Sequence, residues 1–127
     1  MKLNHLNLCV DDLSEAAEFF QALFQFRLLD RKGAAIAVMT DEEGFTLVLS
    51  NPEAFGGEAP AYPQDFHIGF YVDTRDEVDR FHSRLSSLET FRLQPGNAPK
   101  PMRGGYTLYF RALGGILFEV TCIESSK

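Results

Sequence analysis

His5 and His67 stand in matching surroundings. Each opens a short alternating run, "HLNLCVDD" and "HIGFYVDT", and a helical pattern follows each run. An imidazole on a strand can hold a metal ion or carry a proton near neutral pH. A third residue joins them in interest. Glu119 lies within the apolar run "ILFEVTCI" and is the only acidic residue between Glu89 and Glu124. A strand so apolar is not expected to open to water on either face, and a carboxylate there needs a partner. The two histidines are candidates for it. Taken singly, each of these residues also suits an ordinary core or a solvated sheet face. Their joint chemistry depends on whether the fold sets them on one side.

The elements that must position them are legible as patterns. In "LNHLNLCV", Leu6, Leu8 and Val10 alternate with His5, Asn7 and Cys9. "DDLSEAAEFFQALFQF" then carries a helical stripe of Leu13, Ala16, Ala17, Phe20, Leu23 and Phe24, with acidic residues early, where the helix dipole favours them. Short strands are expected at about 26–31, in "AAIAVMT" and in "FTLVLSN". The Pro-, Gly- and Ala-rich stretch 51–64 reads as a connector. The order then restarts. "DFHIGFYVD" is a buried strand by its alternation of Phe66, Ile68, Phe70 and Val72, and "TRDEVDRFHSRLSSL" is a helix with Val78, Phe81, Leu85 and Leu88 inward. Strands follow in "TFRLQP", "YTLYFRA" and "ILFEVTCI", with a Pro/Gly loop through "GNAPKPMRGG".

Strand, helix, three strands is thus given twice. Registering His5 on His67 also matches Val10 with Val72, Asp11 with Asp73, Glu15 with Glu77, Phe19 with Phe81 and Leu23 with Leu85. The expected fold is α+β: two tandem βαβββ modules, each a curled, mostly antiparallel sheet with a helix on one face. The modules fall at about 1–51 and 65–124, within one domain over 1–127. Away from the helices, period two places His5, Asn7 and Cys9; Thr46, Val48 and Ser50; His67, Gly69 and Tyr71; Thr107, Tyr109 and Arg111; and Leu117, Glu119, Thr121 and Ile123.

Composition narrows the function. A formal charge of −6 disfavours nucleic acid and anionic membranes as partners. No apolar run approaches the ~20 residues that span a bilayer, and the N-terminus lacks the apolar core of a signal peptide. Cys9 and Cys122 have no metal or redox spacing and are read as reduced thiols of a cytoplasmic protein. From Thr90 to Phe118 there is no Asp or Glu, yet Arg92, Lys100, Arg103 and Arg111 occur. Such a basic lobe suits a carboxylate, phosphonate or phosphate, although a solvated loop of chance composition looks the same.

The pieces "LNHLNLCVDDLSEAAEFF", "FHIGFYVDTRDEVDRF" and "YTLYFRALGGILFEV" resemble the vicinal oxygen chelate superfamily, and they span most of the chain. That superfamily contains glyoxalase I, extradiol dioxygenases, fosfomycin-resistance transferases, methylmalonyl-CoA epimerase and bleomycin-resistance proteins. The resemblance implies a cup around a divalent metal, with ligand positions at His5, Val48, His67 and Glu119. Three of these hold ligands, a set that suits Fe, Mn, Zn or Ni. Val48 stands where glyoxalase I and the epimerase have a glutamate, so neither activity is expected. The three-ligand pattern is similar to the dioxygenases and fosfomycin transferases, which also place a tyrosine ten residues before the last glutamate, as Tyr109 is here.

The resemblance implies that Tyr109 is catalytic, donating a hydrogen bond to the substrate oxygen. By face assignment and charge, Asn7, Tyr71, Arg111, Arg103 and Lys100 are the expected substrate contacts, with Thr121 and Ser50 weaker candidates. Departures exist. His82, the only other histidine, sits on the second helix; Asn7 replaces a family threonine; and "ALGG" replaces the common "DPDG" turn. The expectation is a metal-dependent dioxygenase, transferase or lyase of that superfamily, acting on an oxygen-bearing small molecule, in a homodimer. The alternative is a metal-free antibiotic or small-molecule binder, with Phe55 and Tyr62 lining an apolar groove. A regulatory or immunity module is a third possibility that no residue favours.

Overall fold

The computed structural model describes residues 1–123. It divides into two compact units, Met1–Ala61 and from Tyr62 onward. The first contains β1 (His5–Cys9), α1 (Leu13–Phe24), β2 (Arg27–Lys32), β3 (Ile36–Thr40) and β4 (Thr46–Ser50), then a short 3-10 turn at Pro52–Phe55. The second contains β5 (His67–Tyr71), α2 (Arg75–Ser86), β6 (Gln94–Pro95), β7 (Lys100–Met102), β8 (Gly105–Ala112) and β9 (Ile116–Ile123). Among the described residues no helix is long and apolar enough to cross a membrane.

The two units repeat one design. Each opens with a five-residue strand and a twelve-residue helix. Asp12 caps α1 by accepting from the Glu15 amide at 3.0 Å, and Thr74 caps α2 from the Glu77 amide at 3.2 Å. In each unit the first strand pairs in parallel with the last and the remaining pairs are antiparallel. The sheet orders are β1-β4-β3-β2 and β5-β9-β8-β6, with β7 also on β8. These are the two tandem βαβββ modules that the periodicity predicts.

Helix periodicity and strand alternation meet in the cores. In the first unit Leu8, Val10, Ala37, Met39, Leu47 and Leu49 are buried, as are Ala16, Phe19, Phe20 and Leu23 of α1. Phe19 was not part of the predicted stripe, whereas Phe24 is only half-buried. The Phe19 ring packs edge-on to Phe20 at 5.1 Å, which brings it into the core. In the second unit Leu108, Phe110, Ile116, Phe118 and Val120 are buried, with Val78 and Leu85 of α2. Burying one such side chain contributes about 1.5–3 kcal/mol. Tyr106 also ties β8 to α2, donating to Asp79 at 2.6 Å while Arg75 lies 4.8 Å over its ring.

Three local differences have physical causes. Strand β5 is not fully buried: Phe66, Ile68, Phe70 and Val72 are half-buried. It is an edge strand with β9 as its sheet neighbour, and α2 packs on β8 and β9. The expected strand in "TFRLQP" shrinks to Gln94–Pro95, because Phe91 and Arg92 both take positive φ, 62° and 49°. Conversely the loop "GNAPKPMRGG" contains a strand, β7. Arg103 and Gly104, at φ 46° and 77°, form a tight reversal that pairs Met102 with Gly105. Pro101 is tolerated there because β7 has β8 alone to pair with.

Candidate functional site

The central residue of the second unit's outer face is Glu119. Strand β9 presents Leu117, Glu119 and Thr121 outward, while Phe118, Val120 and Cys122 are buried. Glu119 lies opposite Gly69 of β5 and opposite Tyr109 of β8. Its carboxylate turns toward β5, where His67 Nε2 is 3.5 Å from Oε2. The Glu119 side chain is 21% exposed and that of His67 42%, so the pair sits at a half-open face.

His67 Nδ1 is 2.9 Å from the Asp65 carbonyl oxygen. A carbonyl only accepts, so Nδ1 carries the proton and donates it there. Nε2 is left to face the carboxylate. A lone pair and a carboxylate oxygen at this distance repel unless a positive charge joins them, either a proton on Nε2 or a metal cation. A histidine with one nitrogen pinned to a backbone carbonyl and the other presented beside a carboxylate is the arrangement metal sites use. Gly69 completes it. A Cβ there would come within 3.2 Å of Glu119 Oε2, so the glycine leaves room for the carboxylate to lie toward His67. Imidazole and carboxylate donors in this setting fit a divalent ion of the Fe, Mn, Zn or Ni kind.

Tyr109 flanks the pair on the other side. Its ring lies edge-on to His67 at 6.2 Å. Burial, then the Glu119 charge, then hydrogen bonding to Glu119 hold its hydroxyl above the ordinary tyrosine value of 10.0, while Arg103 acts in the opposite sense. Tyr109 is therefore a neutral hydrogen-bond donor at physiological pH.

The other predicted residues are distributed as follows. Lys100, Tyr109 and Arg111 line a cleft of about 420 Å³ on the second unit, with Gln94, Asn97 and Leu117. Arg111 donates to the carbonyls of Gly115 at 2.8 Å and Gln64 at 3.4 Å. Arg103 occupies the β7–β8 turn. Tyr71 ends β5 and is 57% exposed. Thr121 is bonded to Thr107 at 2.8 Å between strands. In the first unit, His5 Nδ1 meets Asn4 Oδ1 at 2.7 Å, and Asn7 accepts from Ser50 at 2.7 Å, with Cys9 3.7 Å from Ser50. Val48 pairs with Asn7 as Glu119 pairs with Gly69, so Val48 and Glu119 are equivalent in register. Among the described residues no group of three or more His, Cys, Asp and Glu side chains gathers as one cluster; His67 and Glu119 come together as a pair.

Sequence reasoning did not single out Asn4, Asp65 or Gly69 as parts of a site. Asn4 and Asp65 were adjacent to or near a histidine, but no spacing announces a bond to Nδ1. Gly69 stood on the predicted face, and its role depends on a neighbour in another strand. Gln94 and Asn97 lay in segments read as an expected strand and a loop.

A family model described as the Glyoxalase/Bleomycin resistance protein/Dioxygenase superfamily matches residues 2–120. The chain is similar to a possible glyoxalase from Bacillus cereus, 36% identical over 96% of this chain and 99% of that one, with a TM-score of 0.78. The fold is also that of lactoylglutathione lyase from Agrobacterium tumefaciens, 22% identical over 95% and 92% of the two chains, TM-score 0.73. It is likewise that of a mutant of the fosfomycin resistance protein FosX from Listeria monocytogenes complexed with Mn(II) and 1S,2S-dihydroxypropylphosphonic acid, 22% identical over 94% and 87%, TM-score 0.74. The chain belongs to the glyoxalase/bleomycin resistance protein/dioxygenase superfamily.

Proposed function

We propose that the protein is a divalent-metal-dependent enzyme acting on an oxygen-bearing, anionic small molecule, with dioxygenase- or transferase-like chemistry. The observation that carries this reading is the His67–Glu119 pair at 3.5 Å, with Nδ1 committed to Asp65 and Gly69 clearing space for the carboxylate. His67 and Glu119 are the proposed ligands in the second unit, and His5 is the candidate ligand of the first. Iron, manganese, zinc and nickel all accept this donor set. The chemistry such an ion would supply there is Lewis acidity, polarising a substrate oxygen and stabilising negative charge that develops on it.

The chain's own groups do the rest. Tyr109, kept protonated by burial and by Glu119, donates a hydrogen bond to the substrate oxygen. The carbonyl of Asp65 holds the His67 ring in one tautomer and orientation. Val48 supplies no fourth carboxylate, so the proton transfer that a glutamate performs at that strand is not available from this position. The cytoplasm is the proposed compartment and a homodimer the proposed assembly.

The test is elemental analysis of untagged protein beside Glu119→Ala and His67→Ala. One bound metal per chain in the wild type, lost from folded variants, supports the reading. Iron would direct the search to dioxygenation, manganese to transfer. A metal-free protein that stays so after reconstitution moves it to the second reading, a non-catalytic small-molecule binder, which the cleft beside Tyr109 favours.

A further inference from the structure

The cleft on the second unit distributes its charge unevenly. Its lining includes Lys100 and Arg111 but no Asp or Glu. The two cations are not equivalent. Arg111 Nη1 donates to Gly115 and Nη2 to Gln64, both backbone carbonyls. These bonds hold the guanidinium against the β8–β9 turn and the chain entering β5, with its charge uncompensated. Lys100 has no hydrogen bond or ion pair among the described residues. It stands opposite Thr107 in the β7–β8 pairing, which puts it on the same side of β8 as Tyr109, two residues on. Thr107 is itself bonded to Thr121 at 2.8 Å. The lining also includes the apolar residues Pro95, Ala98 and Leu117, with Leu117 opposite Arg111 in the β8–β9 pairing.

We infer that the cleft binds a small organic acid bearing a single negative charge, with its acid group on Lys100 Nζ and its apolar body extending past Tyr109 toward Leu117. One uncommitted ammonium is a point charge suited to one anionic group. Arg111 is a positioning residue that holds the cleft wall. A volume of about 420 Å³ accommodates a small molecule rather than a polymer. The inference names the substrate class for the enzyme proposed above. It rests on that reading only for what happens to the bound acid; the binding itself needs Lys100 and not the metal.

Calorimetric titration of the full-length protein with phenylacetate and with neutral phenylacetamide tests it, before and after chelation of metal. Phenylacetate is expected to bind about tenfold more tightly than the amide in both preparations. Lys100→Met should erase that preference and Lys100→Arg should keep it. Arg111→Gln should lower the melting temperature and keep a preference for the acid, since Lys100 remains. Equal binding of acid and amide, no binding of either, or a preference lost in Arg111→Gln but kept in Lys100→Met would overturn the inference. Metal content is read separately. A metal-free wild type that still discriminates through Lys100 would reject the enzyme reading and uphold this one.

Discussion

Gly69 and Glu119 face each other across the β5–β9 pair, and a Cβ on the glycine would lie 3.2 Å from the carboxylate oxygen Oε2. The φ of Gly69 is not positive, so the backbone conformation does not require a glycine there. What the position needs is empty space. At the equivalent register of the first unit, Asn7 has a side chain and faces Val48, which has no carboxylate.

Filling that space should therefore act on the site and not on the fold. Gly69→Val is expected to push the Glu119 carboxylate away from His67 and weaken metal uptake at least about tenfold, an effect the size of a lost supporting contact. Gly69→Ala should do less, since a shift of a few tenths of an ångström relieves it. Thermal melting should change little in either variant, because Gly69 is exposed and strand glycines gain order on substitution. Metal titration of folded Gly69→Val with unchanged affinity would remove the spatial role assigned to the glycine.

The reach of the sequence can be judged from particular residues. Period two placed Glu119 and Tyr109 on one face and Phe110, Phe118 and Val120 on the other, because alternation is a local property of an extended chain. The match of His5 with His67 anticipated two strand–helix pairs in the same register. The kink at Phe91 and Arg92 was not legible, since neither residue type favours positive φ. Strand β7 was hidden by Pro101 and by Pro99 just before it. The tautomer of His67 and the space at Gly69 were also hidden, because each is set by atoms of another residue brought near by the fold, with no signature in the spacing.

The β7–β8 turn links a backbone conformation to the cleft. Gly104 has φ 77° with no atom within 4 Å of a built Cβ, so a side chain there would meet strain and no clash. Gly104→Val should cost about 1–2 kcal/mol of local stability. Exchange of the β7 amides with solvent should quicken, and the arm that presents Lys100 should loosen, while the α1 amides of the first unit stay protected. Hydrogen exchange that is unchanged in β7 would show that the turn does not hold the arm.

Core packing of the second unit converges on Phe110, which stacks on Phe118 at 5.4 Å and meets Phe81 of α2 at 5.8 Å. It is 1% exposed. Phe110→Ala is expected to destabilise by about 3–5 kcal/mol through lost burial and the cavity left behind. His82→Ala, on the same helix but outside this cluster, should stay within about 0.5 kcal/mol. Denaturant unfolding of both variants checks the contrast.

Tyr109 makes a pH prediction whose sign follows from its neighbours. Burial and Glu119 both disfavour the phenolate in the folded protein, so the folded pKa lies above the ordinary value of 10.0. A raised pKa means that the neutral form is the one the fold favours. The stabilising contribution is fully present below pH ~10 and is lost as pH rises from there through the folded value. Tyr106 shifts the same way, chiefly through its hydrogen bond to Asp79. Tyrosinate absorbance should therefore resolve two late-titrating groups. Tyr109→Phe should remove one of them. Glu119→Gln should bring the Tyr109 transition down only part of the way, because burial is the largest cause and remains. Complete return to the ordinary value in Glu119→Gln would make the carboxylate, and not burial, the dominant influence on this hydroxyl.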